Sequence, residues 1–151
     1  MYKNIQNILE MKNKEKITVL TGYDSTMVTL CDQVDIILVG DSAGMVMLGY
    51  EDTSSVTMED MIRFTTAAKN GRKNSLIVSD LPINSYKTEK DAIRNSLKLI
   101  EAGADAVKFQ THLAEEEMLD TKIMLAHSKK ETVFDLMKKC ELNFKIKASV
   151  H

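Results

Sequence analysis

Asp35-Ile-Ile-Leu-Val-Gly-Asp-Ser-Ala-Gly44 is the stretch on which the fold turns. Four aliphatic residues closed by Gly40 and Asp41 predict a strand buried on both faces, as in a parallel sheet covered by crossover helices. Asp41 then sits at the strand's carboxyl end. Ligands bind at that end of parallel α/β sheets, because the loops there vary while the strands hold their residues still. Gly, Asp and Ser are also ordinary turn and cap residues, so this stretch alone fits either use.

Outward from it, the same unit recurs. Residues 4–13 carry Ile5, Ile8, Leu9 and Met11 at close to helical spacing, and Ile17–Thr21 is a β-branched strand ending at Gly22-Tyr23-Asp24. Ser25 is placed to cap a helix to about Asp32, with Met27, Val28, Leu30 and Cys31 available for burial. Tyr23-Asp24 reads as a turn in preference to a place at the mouth of a site. Gly44–Val56 fits neither period and reads as a loop, with Met45 and Met47 as gap-fillers. Thr57-Met-Glu-Asp60 resembles a capping box for a helix to about Asn70, stopped by Gly71. Leu76–Asp80 repeats the apolar run closed by an acid, with the only proline, Pro82, in the loop beyond. Thr88 caps the clearest helix, which places Ala92, Ile93, Leu97, Leu99 and Ile100 on its apolar side and stops at Gly103. Asp105–Gln110 is a fourth strand. Beyond it, helix-like segments near 113–120 and 131–142 form a helical tail with no convincing fifth strand.

The totals bound the function. With 44% hydrophobic and 28% charged residues among 151, the chain suits one globular domain, and a formal net charge of -2 with scattered basic residues argues against a nucleic-acid surface. No window approaches the ~20 apolar residues of a membrane span. Cys31 and Cys140 lie far apart without metal-site spacing, which suits a reducing cytoplasm. His112, His127 and His151 show no ligand spacing. A cytoplasmic protein acting on a small molecule is expected.

Asp41, Asp80 and Lys108 each close a predicted parallel strand, at separations of 39 and 28 residues that match successive strand-plus-crossover units. Two carboxylates without His or Cys suit a hard cation, above all Mg2+, while the lysine suits a substrate anion or developing enolate charge. The competing reading makes the acids helix caps and the lysine a surface residue. Three at equivalent positions favour a site.

Here the motifs become specific. Ile17-Thr-Val-Leu-Thr-Gly-Tyr-Asp24, Leu38-Val-Gly-Asp-Ser-Ala-Gly44, Gly49 with Ser55-Val-Thr57, Ser79-Asp-Leu-Pro82 and Ala102-Gly-Ala-Asp-Ala-Val-Lys108 resemble, in order and spacing, the ketopantoate (3-methyl-2-oxobutanoate) hydroxymethyltransferase family over about 5–108. The resemblance implies a TIM-barrel enzyme of pantothenate (coenzyme A) biosynthesis. It transfers a one-carbon unit from 5,10-methylenetetrahydrofolate to an α-keto acid with Mg2+. It further implies that Asp41 and Asp80 ligate Mg2+ and that Asp41, Ser42, Asp80 and Lys108 contact the keto acid. Gln110 stands where the family has a glutamate near the metal, and its amide oxygen can still serve as a weaker ligand. The family's general base is a later glutamate, and nothing in 111–151 resembles its segment, so no catalytic residue is assigned. Glu115, Glu116 and Glu117 read as a solvated helix face.

About 102–144, with Ala114-Glu-Glu-Glu-Met118 and Phe134–Phe144, resembles the N-acetylneuraminate (sialic acid) synthases, also TIM barrels. The chain thus divides into a partial barrel over 1–110 and a tail over 111–151, by fusion or truncation. A closed (β/α)8 barrel needs about 250 residues. Four strands predict an α/β half barrel whose open edges favour homo-oligomers. Three functions are therefore carried forward: an impaired hydroxymethyltransferase-like enzyme, a non-catalytic metal- and keto-acid-binding or inert fragment, and a sialic acid synthase-like enzyme condensing phosphoenolpyruvate.

Overall fold

The computed structural model describes residues 2–110. The chain divides into two compact units, Met1–Phe109 and Gln110–His151. The expected helices near 113–120 and 131–142, Cys140 and all three histidines lie outside the described residues.

The first unit is an α/β half barrel of the expected kind. Its strands β1 (Val19–Thr21), β2 (Ile36–Val39), β3 (Leu76–Asp80) and β4 (Ala106–Lys108) form one parallel sheet in the order β1-β2-β3-β4. Helices α1 (Ile5–Met11), α2 (Ser25–Cys31), α3 (Ala43–Leu48), α4 (Met58–Gly71) and α5 (Glu89–Ala102) punctuate them. Consecutive strands lie side by side because each crossover returns the chain one place along the sheet.

Which way each strand side chain points follows from two contacts. Thr65 on α4 bonds Ser79 on β3, Oγ to Oγ, at 2.8 Å, so Ser79 faces the helix layer. Register pairs Ser79 with Val39 and Ile77 with Ile37, and alternation sends Val78 and Asp80 to the opposite, inner face. The helix-facing Ile37, Val39 and Ile77 are fully buried against residues such as Val28, Met61 and Ala68. On the inner face Ile36, Leu38 and Val78 are only half-buried. The expectation that β2 is buried on both faces is corrected accordingly: the helices cover one face, and in a complete barrel the other strands' side chains would fill the second.

Several local readings also change. Asp24, rather than Ser25, caps α2, accepting the Met27 N–H at 2.8 Å, and only Val28 of that helix is buried. The 44–56 loop contains α3, which ends at Gly49 with φ 72°, and a 3-10 turn at Thr53–Ser55. Met45 and Met47 are exposed on α3 rather than filling gaps. Thr57 and Asp60 do form the capping box of α4, but Gly71 is its last residue. A Cβ there would lie 2.2 Å from the Ser25 carbonyl oxygen, so glycine is what lets α2 and α4 approach. On α5 the buried residues are Ala92, Asn95 and Leu99, while Ile93, Leu97 and Ile100 are exposed.

At the amino ends of the strands, carboxylates tie the sheet together. Asp35, just before β2, accepts the Thr18 N–H and Oγ–H, each at 2.7 Å, and pairs with Lys3. Asp105, just before β4, accepts the Ile77 N–H at 2.8 Å and pairs with buried Arg72, whose guanidinium also lies over the Tyr2 ring at 3.9 Å. Asp32, at the end of α2, accepts the N–H groups of Lys73, Asn74 and Ser75 at 2.7–2.9 Å, and an Asn74 side-chain N–H. These bonds favour the charged form. The Lys3 and Thr18 donors hold Asp35 at about 2, and Asp32 is also below the usual carboxylate range, its hydrogen bonds outweighing burial.

Candidate active site at the carboxyl ends of the strands

Asp80 is the last residue of β3, and register sets Lys108, the last of β4, directly opposite it. Both point to the inner face, and Lys108 Nζ lies 2.9 Å from Asp80 Oδ1. Among the described residues this buried oxygen meets only the lysine ammonium, as an ion pair. Asp80 Oδ2 receives only a long bond, 3.4 Å, from the Asp41 backbone N–H. Asp41 itself is buried in the turn after β2. Gly40 makes that turn close: a Cβ on it would lie 2.9 Å from Ser42 Oγ and 3.7 Å from Asp80 Oδ2.

Neither acid behaves as the competing reading requires. The next helix after Asp80 is capped by Thr88, and the cap position of α3 belongs to Ser42. Ser42 makes no capping bond with its side chain. Its Oγ instead meets the hydroxyl of Tyr23 at 2.8 Å. Tyr23, expected to be a turn residue, is buried and sets its ring edge-on to Phe64. Its contact with Ser42 fits the alternative of a place at the site mouth better than the turn preferred from sequence. The available signal was its place just past β1, equivalent to that of Asp41 past β2.

The electrostatics separate this end of the sheet from the other. Burial is the largest influence on Asp80 and raises its carboxyl above the usual range; Asp41's charge adds to the rise, and Lys108 and the Asp41 N–H only partly offset it. A carboxylate whose charge is left under-compensated at a strand's carboxyl end marks a functional site more often than a structural one. Asp35, held by Lys3 and by the N–H and hydroxyl of Thr18, and Asp32, whose backbone and side-chain donors outweigh burial, show the opposite shift.

The site brings together Asp41, Ser42, Asp80 and Lys108. Gln110, half-buried, is the first residue of the second unit, two positions beyond Lys108. Among the described residues no three His, Cys, Asp or Glu side chains cluster as a metal cage. The donor set nevertheless fits Mg2+, which takes one or two carboxylates and completes its octahedron with water and substrate. The hydrogen-bond-free Oδ1 of Asp80 is an oxygen of that kind. No helix among the described residues is long and apolar enough to cross a membrane.

Comparison with known proteins bears on the family and the fold. The family model described as ketopantoate hydroxymethyltransferase matches residues 2–127. The match thus extends into the segment likened above to sialic acid synthases. A 3-methyl-2-oxobutanoate hydroxymethyltransferase of Nitrosopumilus maritimus (strain SCM1) is 56% identical over 114 residues, covering 73% of this chain and 41% of the relative. One from Clostridium botulinum (strain Langeland / NCTC 10281 / Type F) is 52% identical over 115 residues, covering 73% and 42%. The chain therefore spans about two fifths of the length of the curated relatives it matches. Among solved structures, the phosphoenolpyruvate phosphomutase of Streptomyces platensis subsp. rosaceus superposes with a TM-score of 0.57 at 13% identity, over 74% of this chain and 42% of that one. A 2,3-dimethylmalate lyase of the PEP mutase/isocitrate lyase superfamily gives 0.56 at 16%, over 80% and 42%. These structures share the TIM-barrel-type fold, of which the chain covers about half.

Proposed function

The chain belongs to the ketopantoate hydroxymethyltransferase family, and we propose that its strand-end site binds 3-methyl-2-oxobutanoate together with Mg2+ as part of one-carbon transfer from 5,10-methylenetetrahydrofolate in pantothenate synthesis. The observation that carries this reading is the pair Asp80 and Lys108, register partners on the inner face, with a buried carboxylate oxygen that no hydrogen bond satisfies.

Asp41 and Asp80 would hold the ion. Bound there, Mg2+ supplies Lewis acidity toward an α-keto acid, making the carbon beside the keto group easier to deprotonate. Lys108, whose side chain is 44% exposed, can leave Asp80 for the substrate's negative charge. The hydroxyls of Tyr23 and Ser42 hold each other and present one fixed donor-acceptor pair toward the turn that carries Asp41. Transfer requires loss of the C3 proton to a base, formation of a carbon–carbon bond to the folate's methylene carbon, cleavage of that carbon's two bonds to folate nitrogens to release tetrahydrofolate, and one water to supply the new hydroxyl. Residues 2–110 supply oriented charge for the first requirement, and no base is assigned among them. The proposed role of these residues is therefore binding and polarisation.

The test is calorimetric titration of the purified chain with 3-methyl-2-oxobutanoate, with and without Mg2+. The expected result is binding at least ~10-fold tighter with the ion, a difference of about 1.4 kcal/mol. Equal affinity with and without Mg2+, or no binding by a chain that unfolds cooperatively in urea, would overturn the reading.

A further inference from the structure

Two hydroxyls meet at the turn that carries Asp41. Ser42 stands at the cap of α3 yet gives that helix no side-chain bond, as its backbone, at φ -53° and ψ -16°, is already helical. A capping side chain normally hangs from an extended residue, from which its oxygen turns back to the helix's first N–H groups. Here the Oγ folds back over Gly40 instead, so closely that a Cβ on Gly40 would lie 2.9 Å from it and 3.7 Å from Asp80 Oδ2. The hydroxyl and that carboxylate oxygen therefore flank one α-carbon. Tyr23 reaches the same hydroxyl from the turn after β1, Oη to Oγ at 2.8 Å. That turn is anchored, since the Gly22 N–H donates to the Leu38 carbonyl at 3.1 Å. The tyrosine itself is buried, with Phe64 of α4 edge-on to its ring at 6.4 Å between centres. Tyr23 is thus held from two sides, whereas half-buried Ser42 has a side chain with one torsion to be fixed.

We propose that Tyr23 is a positioning residue: its hydroxyl donates to Ser42 Oγ and so leaves the Ser42 hydrogen as a fixed donor for an oxygen of the keto acid. The inference rests on the reading of the site given above. A hydroxyl has one hydrogen and two lone pairs. A phenol is a better donor and a poorer acceptor than an aliphatic hydroxyl, because its oxygen shares a lone pair with the ring. Donation from Tyr23 to Ser42 is therefore the stronger of the two directions. It occupies one lone pair of Ser42 and keeps the hydrogen for the ligand. The reverse direction would spend that hydrogen on the phenol and turn only lone pairs toward a ligand that is itself an anion. Hydrogen bonds in a chain polarise one another, so the bond from Tyr23 also makes Ser42 a better donor. The serine rotamer is set before the ligand arrives, which removes an ordering cost from binding. Among the described residues the Tyr23 hydroxyl bonds only Ser42, so its effect on the keto acid is separate from that of the carboxylates on the ion.

Calorimetric titration of the Mg2+-loaded full chain with 3-methyl-2-oxobutanoate tests this across Tyr23→Phe, Ser42→Ala and the double variant. Tyr23→Phe keeps the ring and its packing. Its expected result is keto-acid affinity weaker by about 3- to 10-fold, the worth of a neutral hydrogen bond, with Mg2+ affinity unchanged. Ser42→Ala should lose at least as much, and adding Tyr23→Phe to it should cost nothing more, since the tyrosine acts through the serine. A merely structural role would weaken Mg2+ binding as well and would persist without Ser42. A second measurement needs no variant to fold: with carbon-13 at tyrosine Cζ, keto acid added to the Mg2+-loaded unsubstituted chain should shift the Tyr23 signal saturably as its bond to Ser42 tightens. Full affinity in Tyr23→Phe, equal losses of Mg2+ and keto acid, additive losses in the double variant, or a Tyr23 signal unmoved at saturation would each overturn the proposal and leave the reading of the site standing. A folded unsubstituted chain that binds no keto acid would overturn that reading, and this inference with it.

Discussion

Asp80→Asn is expected to weaken Mg2+ binding by on the order of 100-fold or more, and Asp41→Asn by a similar factor. Loss of partners that merely orient metal ligands already costs 10- to 100-fold. The carboxylates are proposed as the ligands themselves, and their exchange for neutral amides removes the charge that draws the ion in. Glu116→Gln, a substitution at a residue read from sequence as a solvated position, should leave affinity within error. Gln110→Glu should strengthen it without restoring turnover. The pH dependence has a definite sign: Asp80's carboxyl is raised above its usual range, so protons compete for it at a higher pH than for an ordinary aspartate, and apparent affinity falls as pH drops through that raised value. Calorimetric titration of the four variants with Mg2+ checks the order, and equal effects in Asp80→Asn and Glu116→Gln would refute the site.

The largest expected loss of stability comes from the other end of the sheet. Asp32→Ala removes the acceptor for three successive backbone N–H groups, Lys73, Asn74 and Ser75, along the turn that leads α4 into β3. Ser75 is fully buried, so its N–H cannot be satisfied by water. Leaving such a donor unpaired costs about 1–3 kcal/mol, and bonds to a charged acceptor are worth about 1.5–3 kcal/mol each. An unfolding free energy lower by about 3–5 kcal/mol is expected in urea, large against the ~5–15 kcal/mol of a typical domain. Asp52→Ala, at an exposed 3-10 cap, should cost less than about 1 kcal/mol. A loss no greater for Asp32→Ala than for Asp52→Ala would show that the turn is held by something else.

These two groups of aspartates show how far sequence could be read. Asp41, Asp80 and Lys108 were legible because an apolar run closed by a polar residue marks a strand end, and three such ends at crossover spacing must meet in a parallel sheet. Asp32, Asp35 and Asp105 are the same chemical group, two of them also beside strands. What makes them structural is which end they occupy and which backbone donors face them, and those donors lie 17 to 43 residues away. Tyr23 was read as a turn in preference to a place at the site mouth for a similar reason, since its partner Ser42 comes from the next strand-end turn. Helix α3 is six residues long, too short to establish a period. On α5 the apolar positions were readable from the periodicity, but the division between Leu99, packed inward, and Ile93, Leu97 and Ile100, left outside, was not. An apolar run alone likewise cannot say which of a strand's two faces has a neighbour, and that is why β2 seemed enclosed on both.

The central claim is that the carboxylates at the two ends of one sheet have different work: those before the strands hold the fold, those after them hold an ion. Carbon-detected NMR of the labelled chain during a Mg2+ titration reads both groups in one experiment. The account predicts saturable shifts of the Asp41 and Asp80 carboxyl carbons and of the Lys108 side chain, with Asp32, Asp35 and Asp105 unmoved. Shifts at the lower carboxylates, or none at Asp80 in the folded chain, would contradict it.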